Sequence, residues 1–510
     1  MASTSPCSQA VNIKQGNLTS HGSIFPRLLE AGVDEISAGL NDETFTSVDL
    51  VNAYIARIKE SSHLSAVTEI KNDALAIAAD LDKDRKQGTR RSALHGLPVL
   101  LKANIGTADK MSTTAGSYAL MGSVLPHDST VVAKLRDAGA ILLGKTNMNQ
   151  WANWRSSNIS TGWSAVGGQT IGPYAEDQDP GGSSSGSGVA SALGLAAASF
   201  GTDTGGSILG PSARNNLVGI RSTVGLTSRY LVVPYSEHHD TVGPMTRTVK
   251  DAAYWLEAIS GMDPADNYTS AIPTTMDTQY VSACKTSGLA GTRIGIPRNL
   301  LSGVTPSDQD IFDAFDDAIA TIQGAGAEVV DNTDLAAYDE FLANGREAFY
   351  GVLCADFVSG ISKYLASLEK NPQQIYSQAD IREFTQKYPL EDYPPKDTSS
   401  WDLCVEAGIN NTSPEFWPLH QYNQQLLGGV GGLPGTLEKY NLDAFVLPTT
   451  WASEVSSIVG SPVITVPLGF YKPGTNVTIT PLGDANLVYS GPGIPFGLSF
   501  FGPKWSEAKL

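Results

Sequence analysis

Amphipathic segments that alternate with short apolar runs constrain the fold of this chain more than any other feature of its sequence. In the segment 46–61, apolar residues recur at the three- and four-residue spacing of a helix. Apolar spacing and capping residues together predict helices at 46–61, 128–139 and 307–324. Short apolar runs predict strands at 95–101, 140–143, 328–330, 442–447, 461–468 and 496–501. Such alternation predicts an α/β fold, in which helices cover both faces of a sheet.

The chain is expected to form one large domain over residues 1–510, although its length alone would suggest about three to four domains. No internal repeat is visible, and the predicted strands of the last third rejoin the same core. Two less regular stretches, 263–292 and 370–413, are rich in polar residues, proline and tyrosine. We interpret them as surface elaborations or lids.

Charge and hydrophobicity exclude several classes of protein. The 34 basic and 52 acidic residues give a formal charge of −18, which repels a phosphate backbone and argues against a nucleic-acid partner. The longest stretch of small and apolar residues, 188–201, is too short and too rich in Ala, Ser and Gly to span a bilayer. A hydrophobic fraction of 41%, with 51 glycines besides, excludes disorder as a description of the whole chain.

The signals for a cellular compartment are mixed. Four cysteines lie far apart without a CxxC pair, so they predict no zinc or iron–sulfur site and leave either buried thiols or one long-range disulfide. The N-terminus shows no signal peptide. Six N-glycosylation sequons nevertheless favour a secreted glycoprotein over a cytoplasmic protein, although Asn158 falls in the predicted core; they lie at Asn17, Asn158, Asn267, Asn410, Asn411 and Asn476.

Two loops rich in glycine and serine are candidates for chemistry. The run GSSSG at 182–186 formally matches the nucleophile elbow of α/β-hydrolases, but no strand precedes it and few histidines follow it. The run GTDTGGSI at 201–208 follows an apolar segment, and its glycines allow successive N–H groups to converge on an oxyanion, with Ser207 as nucleophile. The alternatives for this second run are an ordinary turn and a phosphate loop, although it lacks the G-K-[ST] motif.

A nucleophilic serine needs a base, and two lysines are candidates. Lys102 and Lys145 each end an apolar run, and burial there would lower the pKa of the amine. A lysine in this position can instead reach the surface or form a salt bridge. Spacing alone does not decide which of the two lysines is the base.

The motifs together resemble the amidase signature family, in the order that the family has them. The matching runs are GLPVLLKANI at 96–105, TTAGS at 113–117, GKTNM at 144–148, PGGSSSG at 180–186, GTDTGGSI at 201–208 and GPMTR at 243–247. The runs QWANWR at 150–155 and GWSAVGGQT at 162–170 are similar to the peptide amidase branch. The resemblance implies a single amidase-signature domain, with a mixed twisted sheet under helices on both faces and a signature core at about 90–250.

The resemblance also implies roles for individual residues. Lys102, Ser183 and Ser207 match a catalytic Ser–cis-Ser–Lys triad, with a cis peptide bond before Ser183. Backbone N–H groups at Thr204, Gly205 and Gly206 would hold the oxyanion, while Lys145 would be structural. The expected activity is hydrolysis of a carboxamide to a carboxylate and ammonia or an amine through an acyl-enzyme, without metal or organic cofactor.

Three positions depart from the family pattern, and they leave alternatives open. Ala103 stands where much of the family has Asp, Leu209 stands where a basic residue is usual, and Arg221-Ser222 replaces a K-P segment. The alternatives are the amidase subunit of a tRNA-dependent amidotransferase and a catalytically silent binding protein. We expect a small-molecule or peptide amide as substrate, a pocket built from 151–158 and the elaborations at 263–292 and 370–413, and a monomer or homodimer.

Overall fold

The structure is a computed structural model that describes residues 25–510, so the predictions on Cys7 and on the sequon at Asn17 lie outside the described residues. Its strands are β1 Val67–Ile70, β2 Pro98–Lys102, β3 Ile141–Thr146, β4 Trp163–Ser164, β5 Gly168–Gln169, β6 Ala198–Asp203, β7 Val218–Arg221, β8 Thr241–Thr246, β9 Arg293–Ile296, β10 Glu328–Asp331, β11 Ala444–Pro448, β12 Val463–Phe470, β13 Thr478–Ile479, β14 Val488–Ser490 and β15 Pro495–Phe501.

Within residues 25–510, eleven of these strands form one mixed sheet. Their spatial order is β1-β3-β2-β6-β8-β7-β12-β15-β11-β9-β10, and the two remaining pairs, β4 with β5 and β13 with β14, form small hairpins. β2 runs parallel to both of its neighbours, β3 and β6, whereas β6 to β15 in this order are joined by antiparallel pairs. The predicted mixed sheet is thus confirmed.

Helices cover both faces of this sheet. They are α1 Val33–Asn41, α2 Ser47–Glu60, α3 Ala74–Lys86, α4 Thr130–Asp137, α5 Ser185–Ala192, α6 Leu209–Arg214, α7 Val249–Ile259, α8 Tyr280–Ala283, α9 Gln309–Gly324, α10 Tyr338–Glu340, α11 Arg346–Ala366, α12 Gln378–Lys387, α13 Ser399–Ala407, α14 Phe416–Leu427, α15 Leu433–Tyr440 and α16 Thr449–Val459. On β7, Gly219 faces Ser212 of α6 while Ile220 packs with Leu256 of α7. Because successive strand residues point to opposite faces, α6 and α7 lie on opposite sides of the sheet.

The predicted helices and strands form close to their expected bounds. The helix predicted at 46–61 is α2, which Thr46 caps by accepting from the Asp49 N–H. The helices predicted at 128–139 and 307–324 are α4 and α9, and the six predicted strands are β2, β3, β10, β11, β12 and β15. The stretch 263–292 contains α8, and 370–413 contains α12 and α13. Within the described residues, no helix is both long and apolar enough to cross a membrane.

The structure answers two questions that the sequence left open, one about the cysteines and one about the sequon at Asn158. Cys354 of α11 and Cys404 of α13 form a disulfide with their Cα atoms 5.0 Å apart, so the long-range disulfide is the correct alternative for this pair. Cys284 is a free thiol. Asn158 is exposed and not part of the core, because the turn at 156–158 leaves its side chain at the surface while the Ser156 hydroxyl accepts its backbone N–H.

Candidate active site

Lys102 ends β2, the third strand from one edge of the large sheet, and its side chain is fully buried. Its Nζ lies 2.8 Å from Ser183 Oγ and donates to Thr202 Oγ1 at 2.9 Å and to the Thr202 carbonyl oxygen at 3.2 Å. Burial lowers the pKa of Lys102 to about 7, although the carboxylates of Asp203 and Asp240 act in the opposite direction. Close to neutral pH, this amine therefore exists partly in the uncharged form that can accept a proton.

Strand register explains why the second buried lysine lies elsewhere. β2 and β3 are parallel neighbours, in which Leu101 pairs with Lys145 and Lys102 pairs with Thr146. Side chains that differ by one register position point to opposite faces of a sheet. Lys145 Nζ accordingly donates to the Ile105 carbonyl oxygen, and it contacts neither glycine–serine loop. The structural role expected for Lys145 stays a prediction.

The first glycine–serine loop brings Ser183 to Lys102 and then starts α5. The Gly182–Ser183 peptide bond is cis, as the resemblance implied. A Cβ on Gly182 would lie 2.5 Å from the Asn149 side chain, so the loop leaves room only for glycine there. Asn149 holds the loop by donating its N–H to the Ser183 carbonyl oxygen and accepting from Ser185 Oγ. The segment before this loop is not a strand, which removes the interpretation as a nucleophile elbow.

The second loop joins β6 to α6, and the carboxylate of Asp203 organises it. That carboxylate accepts from the N–H groups of Gly206 and Ile208, each at 2.7 Å, and from Arg221 Nη1 at 2.8 Å. Asp203 and Arg221 are both fully buried, so the ion pair compensates two charges that are removed from water. Ser207, which is half-buried, lies between these anchored positions.

Backbone hydrogen bonds join the two loops and leave two N–H groups of the second loop without an acceptor. The Ser184 N–H donates to the Ser207 carbonyl oxygen at 3.2 Å, which ties the residue after Ser183 to Ser207. Gly205 is exposed, and neither its N–H nor that of Ser207 has an acceptor within the described chain. The Gly206 N–H, one of the predicted oxyanion donors, is already bonded to Asp203. Thr204 is held through its hydroxyl, which donates to Asp240 Oδ1 at 2.6 Å.

The residues that depart from the family pattern can be located in the structure. Ala103 is buried with Met148 and Ala152 against Tyr235, so no carboxylate stands at this position to raise the pKa of Lys102. Leu209 is fully buried in the apolar core that α6 shares with β11 and β15, and it therefore faces away from solvent. Arg221 is the partner of Asp203 described above.

An aromatic group borders the candidate site on the side of segment 151–158. Trp154 stacks on Tyr350 with a centroid distance of 6.4 Å, and its ring lies 4.7 Å from that of Tyr235. Tyr350 is exposed, whereas Tyr235 reaches in to Ala103, the neighbour of Lys102. Asn153 is tied to the first loop because its Oδ1 accepts from Asn149 Nδ2.

Glu391, in the stretch 370–413, joins this side of the site to the core. It is fully buried and accepts from Ser117 Oγ, from the Tyr118 N–H, from Gln150 Nε2 and from Arg155 Nη1. No sequence pattern indicated this contact, because the partners lie more than 200 positions apart. The expectation that 370–413 contributes to a pocket beside 151–158 stays a prediction.

Residues that hold the two loops were missed from the sequence. Asp203 lies inside the motif GTDTGGSI, so its position between β6 and the glycines was an available signal. Nothing in the sequence indicated Asp240 or Asn149. Among residues 25–510, no group of three or more His, Cys, Asp or Glu side chains is arranged to hold a metal ion.

Comparison with known proteins gives the same family as the motifs. A family model described as Amidase matches residues 49–393. A protein of Arthroderma benhamiae that carries the name amidase is 48% identical over 507 residues, which cover 95% of this chain and 84% of the relative. The native peptide amidase of Stenotrophomonas maltophilia superposes with a TM-score of 0.83 at 35% identity, covering 94% of this chain and 95% of that one.

Similarity to glutamyl-tRNA(Gln) amidotransferases is more limited. One subunit of the Geobacter sulfurreducens enzyme is 38% identical over 327 residues, which cover 63% of this chain and 65% of the bacterial one. The match to the two amidases extends over nearly the whole chain, so an amidase is favoured over the amidotransferase alternative. The match over two thirds of the sequence and the shared mixed sheet lead to one conclusion: this chain belongs to the amidase family and is a hydrolase that acts on amides.

Proposed function

We propose that this chain hydrolyses carboxamides with Lys102 as base, Ser183 as proton relay and Ser207 as nucleophile. The observation that carries the proposal is the buried contact of 2.8 Å between Lys102 Nζ and Ser183 Oγ, together with a pKa of about 7 for Lys102. A relay of two hydroxyls needs an uncharged amine at its end, since only a free lone pair can accept the proton.

The proposed reaction has two halves. Ser207 Oγ attacks the amide carbon as its proton passes to Ser183 and that of Ser183 passes to Lys102, so a C–O bond forms and an oxyanion develops. The N–H groups of Gly205 and Ser207 are free to receive this oxyanion, whereas that of Gly206 would have to be shared with Asp203; Thr204 is fixed beside them by Asp240. The C–N bond then breaks as the relay returns a proton to the nitrogen, and ammonia or an amine leaves. Water repeats the sequence on the acyl-enzyme and releases the carboxylate.

We propose C-terminal carboxamides of peptides as the favoured substrate class, with small-molecule amides as the alternative. The support is the similarity to the Stenotrophomonas peptide amidase and the aromatic group of Trp154, Tyr235 and Tyr350 beside the triad. Aromatic faces of this kind pack well against peptide groups and apolar side chains. The chain would act on such substrates as a monomer or homodimer.

Ammonia release from a peptide amide by the purified chain tests the proposal. Ser207→Ala should lower kcat/KM by about three orders of magnitude or more, because it removes the nucleophile. Ser191→Ala is a matched control, since Ser191 is a buried serine of α5 whose hydroxyl donates to the Met245 carbonyl oxygen, away from both loops. Full activity in Ser207→Ala would contradict the assignment of the nucleophile.

Two outcomes of the same assay would favour the alternatives. Activity that appears only after a partner protein is added would favour an amidotransferase subunit. If no amide of a panel that varies the acyl group is cleaved, while amides still bind, the chain would be a binding protein with this fold.

We also propose that the protein is a secreted glycoprotein. The disulfide between Cys354 and Cys404 fits an oxidising compartment. Of the sequon asparagines within residues 25–510, Asn158, Asn267 and Asn476 are exposed, which a glycan requires.

A further inference from the structure

An apolar cavity lies on the opposite side of the sheet from Ser207. Its volume is about 320 Å³, and its walls include Ile220 of β7, Ala253 and Leu256 of α7, and Ile464 of β12. Ile220 points away from α6, the helix that follows Ser207, because its neighbour Gly219 faces α6. The cavity is therefore separated from the candidate active site by the sheet itself.

One buried acidic side chain, Glu507, lines this apolar cavity. Only 5% of its surface is exposed, and its Oε1 accepts the Thr223 N–H at 2.6 Å. The other oxygen, Oε2, is buried without a hydrogen-bond partner among the described residues. A buried carboxyl oxygen that makes no hydrogen bond is unfavourable, so this atom is available to a ligand that donates one.

No cation of the described chain neutralises Glu507. Lys509 also lines the cavity, but its Nζ forms an ion pair with Asp443, and Lys285 is exposed. Burial raises the pKa of Glu507, and the same carboxylate adds to the effect of burial in raising the pKa of Tyr280, another cavity residue. Glu507 and Tyr280 therefore lie near each other in the wall of a mostly apolar cavity, which also includes Thr286, Thr292 and Asp443.

From these contacts we propose that the cavity is a binding site for a small hydrophobic primary amine, separate from the site of amide hydrolysis. The apolar walls would take the hydrocarbon part, and the ammonium group would donate to Glu507 Oε2 and supply the missing positive charge. A carboxylate of the same size would be repelled by Glu507. A neutral alcohol could donate the hydrogen bond, but it would leave the buried charge without a counter-ion.

Calorimetric titration of the full chain with n-hexylammonium, 1-hexanol and hexanoate tests this site. Hexylammonium should bind at least about tenfold more tightly than hexanol, because only the cation forms a charge-assisted hydrogen bond, and hexanoate should not bind. Glu507→Gln should remove this tenfold preference. Glu60→Gln is the matched control, since Glu60 is an exposed residue of α2, which contributes nothing to the cavity wall, and the affinity of this variant should match that of the wild type.

A second measurement keeps the test valid if Glu507→Gln does not fold. Cys284 is a free thiol in the wall of the cavity, so hexylammonium should slow its alkylation in the wild-type protein, as measured by mass spectrometry of the peptide that contains it. Equal affinity for hexanol and hexylammonium, the absence of saturation by about 20 mM amine, or alkylation that the amine does not slow would each overturn the proposal. None of these readouts depends on amide hydrolysis.

Discussion

The protonation of Lys102 should set the acidic limit of the reaction rate. Burial moves the pKa of this amine from 10.5 to about 7, which corresponds to about 5 kcal/mol in favour of the neutral form. About half of the molecules then carry a neutral Lys102 at pH 7, about one tenth at pH 6 and about one hundredth at pH 5. A lysine with an ordinary pKa would be neutral in only about one molecule in 3,000 at pH 7.

The assay is kcat/KM for ammonia release from a peptide amide between pH 5 and 10, at substrate concentrations below KM. Because the base must be neutral, kcat/KM should fall about tenfold per pH unit below pH 7 and level off above about pH 8. Activity recovered after return to pH 8 controls for unfolding at low pH. A rate that keeps rising to pH 10, or one that stays constant down to pH 5, would refute Lys102 as the base.

Lys145 provides a control for this assignment. It lies fully buried on β3, the strand next to β2, and burial lowers its pKa to about 8. Lys145→Met should leave the midpoint of the acidic limb unchanged, since this amine contacts neither loop. Lys102→Met should lower kcat/KM by about three orders of magnitude at every pH, because Ser183 then lacks a proton acceptor.

Three further predictions concern stability and modification. Asp203→Asn leaves the buried charge of Arg221 without its partner, so it should lower the free energy of unfolding by about 3–5 kcal/mol in denaturant titrations; a loss below about 1 kcal/mol would contradict this. Replacing Cys354 and Cys404 together by serine opens a loop of 50 positions, worth about 4 kcal/mol, and should shorten the half-life of thermal inactivation; an unchanged half-life would contradict a stabilising disulfide. On expression through a secretory pathway, the peptide that contains Asn476 should carry a glycan in mass spectrometry, which Asn476→Gln removes; an unmodified peptide would contradict access to this sequon.

The sequence predicted the layers of the fold because its elements are locally encoded. The helical spacing of 46–61 and the apolar run at 95–101 each depend on neighbouring residues, and both form close to the expected positions. The choice between Lys102 and Lys145 as the base could not be made from neighbouring residues. It depends on the register of β2 against β3, which sets the face to which each amine points, and periodicity carries no information on register. Only the family resemblance favoured Lys102.

Contacts between residues that lie far apart in the chain could not be predicted from the sequence. Asp356 of α11 accepts from Ser236 Oγ and from the His238 N–H, and the same turn continues to Asp240, which holds Thr204. The sequence around Asp356, an aspartate among apolar residues of α11, does not indicate which loop its carboxylate binds. Such contacts appear only when three-dimensional positions are known.

The buried position of Glu391 has a consequence for engineering this enzyme. A designer who exchanged 370–413 for a stretch that lacks this glutamate would remove the buried carboxylate that accepts from both Arg155 and Gln150. Chimeras should therefore transfer these three side chains as one unit. A graft without Glu391 would leave the guanidinium of Arg155 buried without its carboxylate, and a change in selectivity would then reflect a loss of stability.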